Sequence, residues 1–225
     1  MQIKELILQT GSLIDLKRFY TETIGIRMIS ESENSFTLQT SLTKITFTLS
    51  TDLQNPFYHF AFNIPENRFS EAKEWTKQRV NLIKLKGEDE FDFKSWNAHS
   101  IYFYDSAGNI VELIARHNLN SSSQKIFTGE SLLSVSEIGC PVYDVKKFYE
   151  LLKENFNIPT FSGDMKTFTA AGDDEGLFII VLDGRKWFPD CPDAKIFPIT
   201  VKIISNEVKE LKLNDLPYEI VSSVS

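Results

Sequence analysis

The feature that most constrains the fold of this chain is a repeated order of one strand, one helix and further strands. Residues 2–10 are predicted to form a strand. Apolar residues then recur at helical spacing and stop before Gly25, a residue type that commonly ends helices: Leu13, Leu16, Phe19, Tyr20 and Ile24. Strand patterns follow at Ser35–Thr40 and Lys44–Ser50, with room for another around Arg27–Ser32. The first unit is therefore predicted to be βαβββ.

A second unit with the same order begins at Phe57–Ile64 and ends with a strand at Ile110–Arg116. Two similar units are thus predicted to fill residues 1–117. Residues 118–131 follow, and they include a polar, serine-rich stretch of the kind found in linkers. We therefore predict a first domain of residues 1–117 that a linker separates from the rest of the chain.

Residues 132–225 repeat the pattern less completely. The third unit has a strand pattern at Leu132–Ile138 and a helix pattern at Asp144–Phe156. The fourth unit starts with a strand pattern at Ile199–Ile204 and a short helix pattern at Asn206–Leu213, and the sequence ends before a closing hairpin. The predicted fold class is α+β, with a second domain that is a degenerate copy of the first.

The composition is that of a folded globular protein, with 42% hydrophobic and 24% charged residues in 225. The net charge is −7 and no long run of lysine or arginine occurs, which argues against nucleic acid and anionic membranes as partners. No apolar stretch approaches the ~20 residues that span a bilayer, and the N-terminus lacks a signal-peptide pattern. We therefore expect a cytoplasmic protein, with Cys140 and Cys191 as reduced structural thiols.

The stretch Ser100–Arg116 combines two apolar strands, a tight turn and one carboxylate inside the second strand. Strand alternation puts Glu112 on the same face as Ile110 and Ile114. A carboxylate among apolar neighbours is costly to desolvate unless a cation or a proton accompanies it. Glu112 is therefore the first candidate for a functional residue in the chain.

Three stretches resemble the vicinal oxygen chelate superfamily, which includes glyoxalase I, fosfomycin-resistance proteins, extradiol dioxygenases and bleomycin-resistance proteins. They are the helix end FYTETIGI (19–26), the strand HFAFNIP (59–65) and the hairpin YFYDSAGNIVELIAR (102–116). The hairpin departs from the family at Ser106, where proline is usual. In that family, paired βαβββ units curl their mixed sheets around a cavity, and the resemblance implies the same architecture here.

The resemblance also implies a set of metal ligands, which the family takes from the first strand of each unit and the last strand of the second. The matching residues are Glu5, His59 and Glu112. The family usually has histidine at the first of these positions, so Glu5 is a departure. Glyoxalase I has a further glutamate in the last strand of its first unit, and the stretch ITFTLS (45–50) has none, which disfavours that activity.

One imidazole and two carboxylates suit a divalent cation such as Zn²⁺, Mn²⁺ or Fe²⁺. The alternative is that Glu5 is a solvated charge, His59 a hydrogen-bonded strand residue and Glu112 the partner of a lysine or arginine. Glu137 also matches the first-strand ligand position, in unit three, but Pro198 stands where the second ligand of that domain belongs. The second domain is therefore predicted to hold no metal.

The cavity implied by the resemblance has a mixed wall. Strand parity with the predicted ligands selects Phe57 and Ile7, and the hairpin supplies Ser100 and Tyr102 as polar groups. Such a wall suits a small aromatic or planar oxygenated compound. The segment 184–198, GRKWFPDCPDAKIFP, is either a stiff lid over the ligand or a long interdomain loop.

Two functions are consistent with these features. The first is a divalent-metal-dependent lyase, isomerase or ring-cleaving dioxygenase in which Glu112 and His59 are catalytic. The second is a metal-free protein that binds and sequesters a small molecule, as bleomycin-resistance proteins do. The expected assembly is a monomer or a homodimer, with the first domain closing its own site from units one and two, and the incomplete fourth unit needing cover for its strand edges.

Overall fold

The computed structural model describes residues 1–50 and 55–224, which form three α-helices and fifteen strands. The helices are α1 (Leu13–Arg18), α2 (Phe69–Lys77) and α3 (Val145–Phe156), and α1 continues as a π-helical turn, Phe19–Thr23. In the described part of the chain α3 is the longest helix, and its 12 residues are too few to span a bilayer, which takes about 20.

The strands of the first half are β1 (Ile3–Thr10), β2 (Arg27–Ser32), β3 (Ser35–Gln39), β4 (Lys44–Leu49), β5 (His59–Ile64), β6 (Phe91–Phe93), β7 (Ala98–Tyr104) and β8 (Ile110–Arg116). Those of the second half are β9 (Ser134–Val142), β10 (Thr160–Gly163), β11 (Phe168–Asp173), β12 (Gly176–Leu182), β13 (Ile199–Ile204), β14 (Lys209–Lys212) and β15 (Tyr218–Ser223). The expected strand, helix, strand order is confirmed for units one to three.

The strands form two mixed sheets, each of which joins one unit from before residues 118–131 to one from after them. Sheet A has the order β14-β15-β13-β1-β4-β3-β2, and sheet B has the order β10-β11-β12-β9-β5-β8-β7-β6. At the centre of each sheet two first strands pair antiparallel, β1 with β13 and β5 with β9. The α+β class with paired curled sheets is confirmed.

The expectation that units one and two close a site together is wrong. Unit one shares sheet A with unit four, and unit two shares sheet B with unit three, because the first strand of each early unit hydrogen-bonds to the first strand of a late one. The division of the chain into domains at residues 118–131 stays a prediction. A site at the centre of either sheet can therefore combine residues from before and after residues 118–131.

A single buried apolar cluster joins the inward faces of both sheets. Leu6 and Leu8 from sheet A, Phe60 and Phe62 from sheet B, and Phe148 from α3 belong to it. Burial of this surface is the main stabilising term, at about 25 cal/mol for each Å² removed from water. The alternate residues of sheet B lie on its other face, where smaller clusters include Ile110 and Ile114. The predicted face of Glu112 is therefore confirmed.

The turn between β7 and β8 has the structure that its sequence indicated. The Asp105 carboxylate accepts hydrogen bonds from the backbone N–H groups of Ala107 and Asn109, at 2.9 and 3.0 Å, and from the Tyr20 hydroxyl at 2.7 Å. Gly108 has a φ of +84°, a value that residues with a Cβ atom rarely adopt. This turn fixes the register that brings β8 beside β7.

Unit four differs from the expectation in two ways. The helix predicted at Asn206–Leu213 is wrong, because β14 occupies Lys209–Lys212 and pairs antiparallel with β15. That pairing also supplies the closing hairpin that was expected to be missing. A charge pair across the two strands favours this hairpin, since Lys212 Nζ lies 3.3 Å from Glu219 Oε1 on β15.

Candidate metal centre and cavity

Three buried side chains meet on the outer face of sheet B: His59 from β5, Glu112 from β8 and Glu137 from β9. One ligand atom from each lies within 4.8 Å of the other two. Strands β8 and β9 flank β5, and their registers place both Glu112 and Glu137 opposite Ala61. Because the alanine side chain is a single methyl group, the two carboxylates can converge above it.

The His59 ring is oriented by the backbone. Its Nδ1 lies 3.3 Å from the carbonyl oxygen of Ile110, and since a carbonyl only accepts, Nδ1 must donate in this contact. Its Nε2 faces the carboxylates, 3.6 Å from Glu112 Oε2 and 3.8 Å from Glu137 Oε2. A histidine held in this way presents a ring nitrogen to a cation, as metal-binding histidines do.

Burial makes the electrostatics of this group unusual. Desolvation and the nearby negative charge of Glu137 raise the pKa of Glu112 to about 7, against the opposing effects of His59 and of the Ser100 and Tyr102 hydroxyls. Burial alone would lower the pKa of His59, but hydrogen bonding and the charges of Glu137 and Glu112 raise it above its ordinary value. Two carboxylates and one imidazole out of water thus require a proton or a cation between them.

Arg116, a fully buried residue of β8, supplies part of the charge that this group requires. Its Nη2 donates to Glu137 Oε1, and its Nε donates to Ser136 Oγ at 3.0 Å. Its guanidinium also lies 5.5 Å from the centre of the Trp96 ring. If the group binds no metal, a lysine or arginine was expected beside Glu112. Arg116 instead pairs with Glu137, and Glu137 Oε2 faces His59.

The predicted ligands His59 and Glu112 come together, and Glu5 does not join them. Glu5 lies on β1 in sheet A, where Lys202 of β13 pairs with it at 2.5 Å. This corrects the predicted ligand set, because the first strand that enters sheet B beside β5 is β9 and not β1. Glu137, the first-strand match in unit three, is the third residue that lies beside His59 and Glu112.

The predicted wall residues are divided in the same way. Tyr102 and Ser100 of β7 lie on the face of Glu112, and Tyr102 is directly opposite it in the ladder. The Ser100 Oγ is buried and makes no hydrogen bond of ordinary geometry within the described residues. Ile7 lies in sheet A, beside a separate cavity of about 290 Å³. Phe57 packs edge-to-face on Phe197, with ring centres 5.6 Å apart, and does not line the site.

A cavity of about 210 Å³ opens directly above the three candidate ligands. Besides His59, Glu112 and Glu137, its lining residues are Phe93, Trp96, Tyr102, Phe168, Ile179, Arg185, Trp187 and Phe188. Phe93, Trp96, Phe168 and Ile179 were not singled out from the sequence, since residues scattered over several strands carry no pattern that marks a cavity.

The segment 184–198 does form part of the cavity wall, as the lid alternative anticipated. Trp187 is buried, and its ring centre lies 5.0 Å from that of His59. Gly139 of β9 makes this contact possible, because a Cβ there would lie 2.6 Å from the Trp187 ring. The segment thus packs directly over the cluster of His59, Glu112 and Glu137.

The fold is similar to that of proteins whose structures have been solved. Over 99% of this chain and 85% of the other, the structure is similar to a protein from Bacillus subtilis subsp. subtilis strain 168 whose dioxygenase assignment is provisional, with a TM-score of 0.65 and 12% identity. It is also similar to glyoxalase I from Zea mays, over 98% and 91% of the two chains, with a TM-score of 0.55 and 11% identity. No protein-family model and no curated protein matches the sequence.

Both similarities extend over nearly the whole chain, so they apply to the two-sheet arrangement and not to one unit alone. The chain therefore has the fold of these two proteins, and the fold that the resemblance in the sequence implied is confirmed. At these identities the activities of the two neighbours do not carry over, because one fold serves many reactions.

Proposed function

We propose that this protein is a divalent-metal-dependent enzyme of the glyoxalase and dioxygenase type that acts on a small oxygenated organic molecule. The observation that carries the proposal is the convergence of His59, Glu112 and Glu137 at the base of a cavity, with ligand atoms within 4.8 Å of one another. A lyase, an isomerase and a ring-cleaving dioxygenase are all compatible with it.

The donor set fits a divalent cation. It combines one imidazole nitrogen with carboxylate oxygens, which Zn²⁺, Mn²⁺ and Fe²⁺ all accept, and the second carboxylate shifts preference toward Mn²⁺ relative to a two-histidine site. When bound, such an ion would polarise a substrate oxygen or lower the pKa of a water molecule. The ion would also balance the negative charge of the carboxylates that Arg116 leaves unpaired.

The protein's own residues would orient and shield the reacting molecule. Ile110 holds the His59 ring through its carbonyl, and the aromatic side chains of the cavity limit the access of water. Tyr102, opposite Glu112, retains its proton at neutral pH because burial raises its pKa well above the ordinary value. Its hydroxyl can therefore donate toward the Glu112 carboxylate and help to orient it.

Elemental analysis tests the proposal. Protein purified without chelator should contain about one divalent metal per chain, and His59→Ala should lose it. Glu5→Gln is the matched control, since Glu5 lies at the corresponding first-strand position of sheet A. Equal metal content in the wild type and His59→Ala, or loss in Glu5→Gln, would count against the site.

A second function, metal-free binding of a small molecule, is favoured by one specific observation. Arg116 already pairs with Glu137, and the raised pKa of His59 allows an imidazolium to balance Glu112 without an ion. This alternative predicts a protein that stays free of metal when Mn²⁺, Zn²⁺ and Fe²⁺ are offered. The cytoplasmic location and the monomeric or homodimeric state remain predictions from the sequence.

A further inference from the structure

One cation of the cavity has no acidic partner. Arg185 lines the cavity, and among the described residues no carboxylate oxygen lies within 4.0 Å of its guanidinium. Its side chain donates one hydrogen bond of 3.2 Å, to the carbonyl of Lys186, and packs 5.4 Å from the centre of the Phe168 ring. Arg116, by contrast, is paired with Glu137.

Arg185 is held in place by a short folded segment, residues 183–194, which we call the flap. Within the flap, Gly184 N–H donates to the Ala194 carbonyl at 2.8 Å, and Ala194 N–H donates to the Arg185 carbonyl at 2.8 Å. Trp187 N–H donates to the Pro192 carbonyl at 3.2 Å. These bonds fix the backbone from which Arg185, Trp187 and Phe188 reach the cavity.

The other wall of the cavity is aromatic. Six of its lining residues are aromatic: Phe93, Trp96, Tyr102, Phe168, Trp187 and Phe188. Several form edge-to-face pairs, such as Phe93 with Phe188, whose ring centres are 5.6 Å apart. Flat rings arranged in this way favour a planar ligand, through stacked and edge-to-face contacts.

The volume limits the size of that ligand. A dry protein cavity of about 150 Å³ holds one benzene molecule, so a cavity of about 210 Å³ has room for one ring with short substituents. The carboxylates of Glu112 and Glu137 disfavour a second anion beside them. An anionic substituent is therefore best placed at Arg185, with the ring among the aromatic side chains.

We propose that the ligand of this cavity is a monocyclic aromatic acid, and that Arg185 determines specificity by pairing with its anionic group. The proposal rests on the proposed function only in taking the same cavity as the binding site. It adds a substrate class and a residue that selects it. Arginine suits this role because its guanidinium can bind a carboxylate through two parallel hydrogen bonds.

Calorimetric titration with matched acid and amide pairs tests this directly. The probes are benzoate, salicylate and phenylacetate, each compared with its neutral amide, on the full chain with and without Mn²⁺. At least one acid should bind the wild type about tenfold more tightly than its amide, a difference of about 1.4 kcal/mol. Arg185→Gln should reduce that ratio to about one while leaving the affinity for the amide unchanged.

Two further variants separate the charge from the fold. Arg185→Lys keeps the charge and should retain part of the preference for the acid. Arg79→Gln is the matched control, since the Arg79 guanidinium also packs on an aromatic ring, 4.1 Å from the centre of Trp75, outside the cavity. It should leave every ratio unchanged.

The outcomes distinguish this inference from the proposed function. If no acid binds the wild type, or if Arg185→Gln weakens acid and amide equally, the inference is overturned, whatever metal the protein holds. If the acid preference depends on Arg185 but no metal binds at His59, Glu112 and Glu137, the inference stands and the proposed enzyme function fails.

Discussion

Sheets A and B are built alike, yet among the described residues only sheet B carries a candidate active site. In each, a six-residue parallel ladder joins the first and last strands of an early unit, Glu5–Thr10 with residues 44–49 in sheet A and His59–Ile64 with residues 110–115 in sheet B. These ladders make Glu5 the counterpart of His59. The antiparallel pairing of the first strands then supplies the remaining correspondences.

The counterparts differ in chemistry. Thr46 takes the place of Glu112, and Thr200 takes the place of Glu137, since they lie opposite Ile7 as the two carboxylates lie opposite Ala61. In sheet A the hydroxyl of Thr46 bonds to that of Thr37 at 2.9 Å, so its polar groups satisfy one another. Sheet B instead buries unbalanced charge beneath a flap.

The fold constrains the inward face of each sheet more than its outward face. The inward faces of both sheets are apolar because they share one core, as Leu6 and Phe60 do. The outward faces need not be apolar. That of sheet A has hydroxyls and a partly exposed ion pair, and that of sheet B has a buried charged group. A function located on an outward face can therefore be present in one copy and absent from the other.

The largest expected difference between the sheets is in the energy of their ion pairs. Arg116→Met should lower the free energy of unfolding by about 3–5 kcal/mol, because it leaves Glu137 buried without its cation. Lys202→Met removes the pair with Glu5 in sheet A, which is partly exposed, and should cost less than about 1 kcal/mol. Urea unfolding of chelator-treated protein measures both.

The double variant Arg116→Met with Glu137→Leu controls this experiment. It removes both charges of the buried pair, so most of the lost stability should return. Similar losses for Arg116→Met and Lys202→Met would show that the two ion pairs do not differ as their burial indicates.

The next largest effect is on metal affinity. Glu112→Gln should weaken Mn²⁺ binding by more than about a hundredfold, since loss of a direct ligand exceeds the effects of removing groups that only orient ligands. Thr46→Val, at the matching position of sheet A, should leave the affinity unchanged. Isothermal titration of both variants tests this, and an equal effect would place the metal elsewhere.

A smaller effect is expected where β9 passes beneath the flap. Gly139→Val should destabilise the protein by about 1–3 kcal/mol, because the new side chain meets the Trp187 ring and the His59 carbonyl. Thr200→Val, on the corresponding strand of sheet A, is the control and should shift stability by no more than about 0.5 kcal/mol. If thermal unfolding shows equal changes, Trp187 does not pack on Gly139 in solution.

The smallest expected effect is on the pH dependence of metal binding. A metal ion needs Glu112 ionised and His59 neutral, and the pKa values of both groups are raised. Affinity should therefore rise with pH, and the proton that Glu112 releases around pH 7 should alone contribute about a tenfold rise between pH 6 and pH 8. Titrations between pH 6 and pH 8 in buffers of different ionisation heat measure this release, and a flat profile would contradict it.

The sequence was sufficient for the local structure but not for the pairing of units. The apolar alternation around Glu112 and the turn at Asp105 are local patterns, and both match the structure. Which first strand joins β5 depends on contacts between residues far apart in the chain, as between Ala61 and Glu137, and no periodicity encodes that choice. For this one reason Glu5 was expected to converge with His59 and Glu112, which it does not, and Glu137, which does converge with them, was passed over.

The most direct test of the account is to locate a bound metal. Anomalous diffraction from crystals grown with Mn²⁺ should show one peak per chain, in bonding contact with His59 Nε2 and with oxygens of Glu112 and Glu137, between units two and three of sheet B. A peak at Glu5 in sheet A, or crystals whose protein binds Mn²⁺ in solution but shows no peak at these three residues, would contradict the account.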